Sequence, residues 1–371
     1  MKVALIGITT DFVTVWEKEE HLQGIEILDS YQVLRDKVTE ARSKDVDLVV
    51  GVYHGGIEKD LETGSIYTST TGENQGYKFC EDFDLDILIT GHEHREIIST
   101  INGVVVTQST NKAQSMIVIE FDREEIKTPQ LIKAREINTN DDKINDLIQM
   151  ELDQTSLWLD QPICKVINGD YLIKDPYNDR INKHPIFSFI NQVMMDKAHT
   201  QLSSCGLGIE AIGFNKQITV RDVLATFPYA NTLKVYEVSG KVLKQYLEQS
   251  LTFFALDDDG EIKINPKKIE PKNELYNYEM IDGINYIADI SKPQGKRIIS
   301  MTYNGEEIKE DDTFSLCLTN YRASGTGGYD MVKDMKFVEE LQVDFSDVLI
   351  DYLLDKKEIE VIDNNNIKLI K

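Results

Sequence analysis

Short apolar runs rich in β-branched residues alternate with amphipathic segments along residues 1–135 of the chain. Apolar runs of this kind are typical of buried strands, and apolar residues at helical spacing are typical of helices packed on a sheet. Strand, helix and strand in this order predict a largely parallel α/β sheet, because parallel neighbours need a crossover connection. The predicted elements are strands at 3–10, 46–56 and 86–94 and helices at 30–44 and 76–83.

Two further apolar runs follow the third predicted strand. GVVVTQST at 103–110 and SMIVIEFD at 115–122 are predicted to pair as a hairpin at the margin of the sheet. The segment 136–165 then begins with polar residues and continues with apolar residues at helical spacing, so it predicts a helical connector. Asn140 or Asp141 is suited to cap this helix, and Pro162 to end it.

The remainder of the chain predicts a second α/β unit, so we expect three regions, at 1–135, 136–165 and 166–371. Ser239 is suited to cap one of the helices of the second unit. The predicted elements of this unit are helices at 188–199, 219–227 and 239–255 and strands at 233–239, 283–291, 297–303 and 313–321.

The charge of the chain excludes some classes of partner. A net charge of −24 repels phosphate backbones and anionic lipid headgroups, so we expect neither a nucleic acid polymer nor a membrane as partner. A small anionic substrate needs a metal ion or a few arginines to reverse the field locally. The four cysteines are far apart in sequence and are predicted to be buried thiols. No apolar run reaches the ~20 residues of a membrane span.

Three of the six histidines lie at the carboxyl ends of predicted strands. His54 lies at the end of the strand in VYHGG, and His92 and His94 lie at the end of the next strand in LDILITGHEHR. Ligands bind at the carboxyl ends of parallel strands, and neutral imidazole is the commonest protein metal ligand. The pattern favours a metal site, although a histidine at a strand end also serves as a hydrogen-bonding partner of a backbone carbonyl.

Several motifs in order resemble one family along nearly the whole chain. VYHGGIEKDLETG, TGENQGY and ITGHEHR resemble the calcineurin-like metallophosphatase domain of the 5′-nucleotidase and 2′,3′-cyclic-nucleotide 2′-phosphodiesterase family. ITVRDVLATFPYANTLKVYEVSG and LTNYRASGTGGYD resemble the C-terminal domain of that family. The resemblance implies a partial α/β/β/α sandwich, a helical connector and a nucleoside-binding α/β domain. It also implies hydrolysis of nucleotide phosphate esters at a centre of two divalent metal ions, such as manganese or zinc.

The resemblance assigns metal ligands to the three histidines. His54 and His92 would hold one ion and His94 the other, and Glu93 is expected to point to solvent between them. Two such ions clamp the phosphoryl group and convert a bound water into the attacking hydroxide.

Earlier blocks of the family pattern do not occur in this sequence. The family carries a DxH strand end, a GD strand end whose aspartate bridges the ions, and a GNH(D/E) loop with the catalytic histidine. Here VALIGITT and VWEKEEHLQGIEILD resemble the segment that follows that loop, so the chain resembles an N-terminally truncated member and offers no catalytic histidine. We therefore expect at most weak binding of a single metal ion, little or no activity of this chain alone, and an exposed sheet edge that can pair with another chain.

The resemblance also implies a nucleoside site in the second unit. Two tyrosines would sandwich the base, and a glycine-rich turn would offer it backbone contacts. An adjacent arginine would reach the ribose or phosphate, and an asparagine would fix the loop. These residues are Tyr229, Tyr321, Gly325, Gly327, Gly328, Arg322 and Asn231.

The leading hypothesis is a nucleotide phosphohydrolase of nucleotide catabolism. The sequence does not separate a 5′-nucleotidase from a cyclic phosphodiesterase with 3′-nucleotidase activity, although YRASGTGG favours the latter. The alternatives are a non-catalytic nucleoside-binding module and a scaffold that uses neither site. MKVALIGITTDF lacks the cleavage site of a signal peptide, which indicates a cytoplasmic chain as it stands, whereas members of the family are often exported.

Overall fold

A computed structural model gives the structure of the protein over residues 1–17, 19–66, 72–122, 125–270, 272–362 and 364–371. Two residues of the quoted motifs, Lys18 and Thr71, lie outside the described residues. The chain divides into two compact units, Met1–Asp146 and Leu147–Lys371.

The first unit contains the predicted strands and helices, so an α/β structure is confirmed for this region. Helix α2 shows the physical reason, because Leu34, Val38 and Ala41 are buried along one of its faces. Asp29 caps this helix by accepting a hydrogen bond from the backbone N–H of Gln32 at 2.9 Å. The described elements are β1 (Val3–Thr9), α1 (Val13–Trp16), α2 (Ser30–Ser43), β2 (Leu48–His54), α3 (Gly76–Asp82), β3 (Ile87–Thr90), β4 (Ile97–Ile101), β5 (Val104–Gln108), β6 (Ser115–Val118) and β7 (Gln130–Lys133).

Five strands of the first unit, counted over its described residues, form one sheet in the order β1-β2-β3-β5-β4. Strands β1, β2, β3 and β5 are parallel, whereas β4 is antiparallel to β5. The register places Thr9 beside His54 and Val52 beside Ile89. The carboxyl ends of β1, β2 and β3 therefore meet at one edge of the sheet.

The predicted hairpin between 103–110 and 115–122 is wrong. Strand β5 pairs with β4, which the sequence reading missed, and β6 pairs with β7 in a separate two-stranded sheet. The physical reason is a two-residue turn at Asn102 and Gly103, both with positive φ, which joins β4 directly to β5.

Strand β1 lies at the edge of the described sheet and leaves part of one sheet face uncovered. Leu5 is 72% exposed, and Val52 and Ile89 on the same face are 41% and 36% exposed. The opposite side of β1 packs into the core through Ile6. The expected exposed edge is therefore present in the described chain, and it carries apolar side chains.

The second unit is also α/β, as predicted. Helix α4 crosses the division between the units, and Asp141 caps it by accepting hydrogen bonds from the backbone N–H groups of Lys143 and Ile144. The described elements are α4 (Asp142–Leu159), β8 (Pro162–Val166), β9 (Tyr171–Leu172), α5 (Asn178–Ile181), α6 (Pro185–Ala198), β10 (Leu202–Gly206), β11 (Gly213–Phe214), β12 (Gln217–Thr219), α7 (Val220–Thr226), β13 (Leu233–Ser239), α8 (Gly240–Leu251), β14 (Phe254–Leu256), β15 (Ile262–Ile264), β16 (Glu279–Asp282), β17 (Asn285–Asp289), β18 (Ile298–Tyr303), β19 (Glu306–Glu307), β20 (Thr313–Thr319), α9 (Asn320–Ala323), β21 (Lys336–Leu341), α10 (Phe345–Lys356), β22 (Glu358–Ile359) and β23 (Ile367–Ile370).

The main sheet of the second unit has the order β16-β10-β20-β13-β21 over the described strands. Strands β13 and β20 are antiparallel, and their register pairs Leu233 with Thr319. The beginning of β13 therefore lies beside the end of β20. Ser239 caps α8 as predicted, because its side chain accepts a hydrogen bond from the backbone N–H of Val242. The described helices include none that is long and apolar enough to cross a bilayer.

Candidate functional site

Two of the three predicted histidines lie together at the carboxyl edge of the first sheet. His54 ends β2, and His92 lies two residues beyond the end of β3. Their ring centroids are 5.5 Å apart, with an angle of 62° between the ring planes. His94 is exposed on the same turn as His92. The parallel pairing of β2 and β3 explains why imidazoles 38 positions apart in sequence become neighbours.

The turn after β3 has an unusual backbone. His92 and His94 adopt positive φ angles of 70° and 58°. Left-handed conformations at residues other than glycine cost about 1–3 kcal/mol each and persist only where surrounding contacts fix them. One such contact joins the two histidine-bearing segments, because the backbone N–H of Gly91 donates to the carbonyl of Gly55 at 3.2 Å.

Glu73, in the motif TGENQGY, is a polar neighbour of this pair. It was not among the predicted site residues. Its Oε1 lies 2.7 Å from Nε2 of His92, within hydrogen-bond distance. Its backbone carbonyl accepts a hydrogen bond from Oγ1 of Thr10 at 2.8 Å. A carboxylate bonded to an imidazole orients the ring and fixes its tautomer. Glu73 therefore belongs to the candidate site.

The imidazole pair supplies part of what a metal ion requires. Partial burial lowers the pKa of His54, and the nearby His92 lowers it further, so the neutral, metal-binding form of His54 is favoured. Over the residues that the structure describes, no group of three or more His, Cys, Asp or Glu side chains is arranged to hold a metal ion. The described donor set therefore does not make a complete metal centre.

Glu93 corrects one expectation of the sequence analysis. Its side chain is fully buried instead of pointing to solvent, and its Oε2 accepts a hydrogen bond from the backbone N–H of Ile57 at 2.8 Å. Nη1 of Arg95 lies 3.5 Å from its Oε1. A Cβ at Gly56 would lie 2.2 Å from Cγ of Glu93, so the second glycine of VYHGG leaves room for this carboxylate. The left-handed turn directs Glu93 inward while its neighbouring histidines stay at the rim.

The second unit brings together the segments that carry the two predicted base-binding tyrosines. Tyr229 follows α7 and is 62% exposed, and Tyr321 lies in the short helix α9 directly after β20. Two hydrogen bonds between Thr232 and Asn320 join these segments. The backbone N–H of Asn320 donates to the carbonyl of Thr232 at 2.9 Å, and the backbone N–H of Thr232 donates to Oδ1 of Asn320 at 3.2 Å. The carbonyl of Asn231 accepts the N–H of Phe345 at 2.8 Å, which anchors the Tyr229 loop.

The predicted glycine-rich turn has a backbone that requires glycine. Gly325, Gly327 and Gly328 have φ angles of 82°, 75° and 87°. A Cβ at Gly327 would lie 2.6 Å from Cγ of Asn277, so this position has no room for a side chain. The turn begins four residues after Tyr321, at Gly325.

Arg322 is not where the sequence analysis expected it. Its side chain is fully buried, and its Nε donates to Oε1 of Glu279 at 2.9 Å, so it has no free surface for ribose or phosphate. Burial alone disfavours the charged guanidinium, but Glu279 and the surrounding tyrosines outweigh that effect and raise the pKa of Arg322. Asn277 and Glu279 were missed because no local sequence pattern connects them with a residue more than 40 positions away.

These features define a two-unit α/β protein with an imidazole pair at the strand tips of one unit and, in the other, hydrogen-bonded segments that carry Tyr229 and Tyr321. Residues 167–334 match the family described as 5′-nucleotidase, C-terminal domain. A solved structure described as a "putative 5′-nucleotidase" from Staphylococcus aureus superposes with a TM-score of 0.85 at 32% identity, covering 100% of this chain and 73% of that one. The chain belongs to the 5′-nucleotidase family.

More distant relatives agree with this assignment. The trifunctional nucleotide phosphoesterase protein of Bacillus subtilis is 23% identical over 99% of this chain, and the 2′,3′-cyclic-nucleotide 2′-phosphodiesterase/3′-nucleotidase of Haemophilus influenzae is 24% identical over 88%. The chain spans 28% and 57% of the lengths of these two relatives. A 5′-nucleotidase precursor from Thermus thermophilus shares the fold, with a TM-score of 0.57 at 18% identity.

Proposed function

We propose that the protein serves in the hydrolysis of nucleotide phosphate esters, as a 5′-nucleotidase or as a cyclic phosphodiesterase with 3′-nucleotidase activity. Family membership and the names of the relatives support this reaction class. The observation that carries the proposal is the hydrogen bonding between Thr232 and Asn320, which joins the segments of Tyr229 and Tyr321 within the residues that match the nucleotidase C-terminal domain.

The second unit is proposed to recognise the nucleoside. Aromatic faces bind bases of any sequence by stacking, at about 1–3 kcal/mol per base. Tyr229 is an exposed aromatic residue on an anchored loop, which suits a ligand-facing role. Tyr321 would supply the second face, and Asn231, Gly325, Gly327 and Gly328 would shape the loop and the turn beside it.

The first unit is proposed to carry metal ligands. His54, His92 and His94 would be ligands of divalent cations such as manganese or zinc, with Glu73 orienting the ring of His92. When bound, such ions neutralise the phosphoryl charge and activate a water molecule. Because the described donors do not make a complete centre, we propose that these 371 residues alone have little or no turnover and bind a single metal ion weakly at most.

A non-catalytic nucleoside-binding module is the second candidate. One observation favours it: residues 167–334 match a nucleotidase C-terminal domain, whereas the metal donors described in the first unit are incomplete. A further chain pairing with the exposed edge of β1 would add neighbours at the carboxyl edge of the sheet, where His54 lies. Phosphate release that appears only with such a partner would show that the chain is one part of an enzyme. No phosphate release with the partner would favour the binding module.

Calorimetric titration of adenosine tests nucleoside recognition. The variants Tyr229→Ala and Tyr321→Ala each remove one aromatic face, and Tyr177→Ala removes a tyrosine that is 39% exposed elsewhere in the same unit. We expect each of the first two variants to weaken binding by roughly 5- to 150-fold, which corresponds to about 1–3 kcal/mol. Tyr177→Ala should bind like the unaltered chain. Equal affinity in all four proteins would contradict the proposed base site.

A further inference from the structure

Arg322 is a fully buried cation beside the glycine turn. A buried charge is strongly unfavourable unless it is paired and hydrogen-bonded. Glu279, which is 4% exposed, satisfies this requirement with an Nε to Oε1 distance of 2.9 Å. The aromatic ring of Tyr329 covers the guanidinium, with its centroid 4.1 Å from Cζ of Arg322.

Glu279 is itself fixed by two hydroxyl donors. Its Oε2 accepts hydrogen bonds from Ser204 at 2.9 Å and from Tyr246 at 3.3 Å. Tyr246 and Tyr329 pack against each other with ring centroids 4.7 Å apart. The Arg322 and Glu279 pair is therefore held on several sides and forms a rigid support inside the second unit.

The two terminal nitrogens of Arg322 donate to the glycine turn and to Asn277, which in turn bonds to Tyr321. Nη1 donates to the carbonyl of Thr326 within the glycine turn. Nη2 lies 3.3 Å from both the carbonyl and Oδ1 of Asn277. The same Oδ1 accepts the hydroxyl of Tyr321 at 3.3 Å. One guanidinium thus connects the turn, Asn277 and the Tyr321 ring.

We propose that Arg322 is a positioning residue that holds Tyr321 and the turn at Gly325–Gly328 in the conformation that receives the base. This inference rests on the proposed nucleoside site and gives Arg322 a role without contact to the ligand. A planar guanidinium serves this role because it donates in three directions at once, whereas a lysine ammonium is a single flexible point charge.

A purely structural role is the alternative, and Arg180 provides the matched comparison. Arg180 is also a buried arginine of the second unit, 2% exposed. Its Nη1 donates to the carbonyl of Pro176 at 2.7 Å, and its Nη2 donates to the carbonyl of Leu207 at 2.7 Å. Both arginines bond to backbone carbonyls in the interior, but only Arg322 is linked to Tyr321.

The test compares Arg322→Lys with Arg180→Lys in the full chain. Adenosine affinity is measured by calorimetry, folding by urea denaturation, and the environment of Tyr321 by the ¹⁹F resonance of 3-fluorotyrosine, assigned with Tyr321→Phe. We expect both substitutions to lower the urea midpoint. Only Arg322→Lys should shift the ligand-free Tyr321 resonance and weaken adenosine binding tenfold or more, while Arg180→Lys should stay within twofold of the unaltered chain.

Asn277→Ala provides a second variant in case Arg322→Lys does not fold. It removes the Oδ1 that bridges Arg322 and Tyr321, so it should also shift the Tyr321 resonance and weaken binding. An unchanged resonance in Arg322→Lys or in a folded Asn277→Ala overturns the inference, and so does an equal loss of affinity in Arg180→Lys. Absence of adenosine binding by the unaltered chain would instead refute the proposed nucleoside site, so the two failures are distinguishable.

Discussion

Oε2 of Glu93 lies 2.8 Å from the backbone nitrogen of Ile57, and this hydrogen bond joins the segment after β3 to the segment after β2. Because His92 precedes Glu93 and His54 precedes Ile57 by three residues, we expect this bond to help set the spacing of the two imidazoles. Replacing Glu93 with alanine removes the acceptor of this buried hydrogen bond, which costs about 1–3 kcal/mol. We expect Glu93→Ala to lower the free energy of unfolding by that amount. We also expect it to change the ring resonances of His54 and His92 in NMR spectra.

Asp86 is the matched control for Glu93. It lies at the opposite end of the same two strands, and its Oδ2 accepts the backbone N–H of Val49 at 2.6 Å and lies 2.9 Å from Nη2 of Arg42. Asp86→Ala should therefore lower the free energy of unfolding without changing the histidine resonances. Unaltered ring resonances in Glu93→Ala would show that Glu93 does not set the imidazole spacing.

Gly327 and Gly260 share a left-handed backbone but differ in the space around them. Their φ angles are 75° and 77°, yet a Cβ at Gly327 would lie 2.6 Å from Asn277, whereas a Cβ at Gly260 would meet nothing within 4 Å. Gly260→Ala should lower the free energy of unfolding by about 1–2 kcal/mol, because of its backbone conformation alone. Gly327→Ala should lower it further and should also weaken adenosine binding, because Asn277 must move. Urea unfolding and calorimetry measure both effects, and an equal cost at the two positions would contradict the close packing of the turn.

The four cysteines are buried free thiols, as the sequence predicts. Burial raises the pKa of Cys80 and of Cys317 to about 12 by disfavouring the charged thiolate. At pH 8 the thiolate of such a group is on the order of one part in 10⁴, and its fraction rises tenfold with each pH unit. We expect negligible reaction with a disulfide reagent in the folded protein and four reactive thiols in guanidinium chloride. Rapid labelling of the folded chain would contradict this burial.

Leu5 tests the exposed edge of β1. Because it is 72% exposed, Leu5→Lys should change the free energy of unfolding by no more than about 0.5 kcal/mol. A lysine on an edge strand opposes pairing with another chain, so self-association in sedimentation and light-scattering experiments should fall. Ile6→Lys, one residue further along the same strand, places the charge in the core and should destabilise strongly. Unchanged association of Leu5→Lys would argue against pairing through this edge.

The sequence predicts the strand ends of the first sheet well, because apolar runs stop where the chain leaves the sheet. The runs before His54 and His92 mark β2 and β3, and parallel pairing then brings the histidines together. Strand β4 was missed because IISTI follows the histidine turn closely and reads as its continuation. The inward position of Glu93 depends on two left-handed residues that lack a glycine signal.

The support around Arg322 lies beyond sequence reasoning for a different reason. Its partners Asn277 and Glu279 come from a 3₁₀ turn and an edge strand more than 40 positions earlier in the chain, and they are neighbours of Arg322 only in the folded structure. A buried arginine also has the same local sequence signal as an exposed one. Tyr229, Tyr321 and the glycine turn were predicted through the family resemblance, because their spacing alone does not distinguish base-binding tyrosines from core tyrosines.

Phosphate release by the 371-residue chain is the most direct test of the account, which proposes that the second unit recognises the nucleoside and that the described donors of the first unit do not complete a metal centre. The chain is incubated with 5′-AMP, 3′-AMP or 2′,3′-cyclic AMP in the presence of manganese or zinc, and inorganic phosphate is measured, with phosphatase added afterwards to detect ring opening of the cyclic substrate. We predict no turnover above the metal-containing buffer under conditions in which adenosine binds. Turnover at about 1 s⁻¹ or faster, in the range of ordinary enzymes, that is lost in His92→Ala would contradict the account.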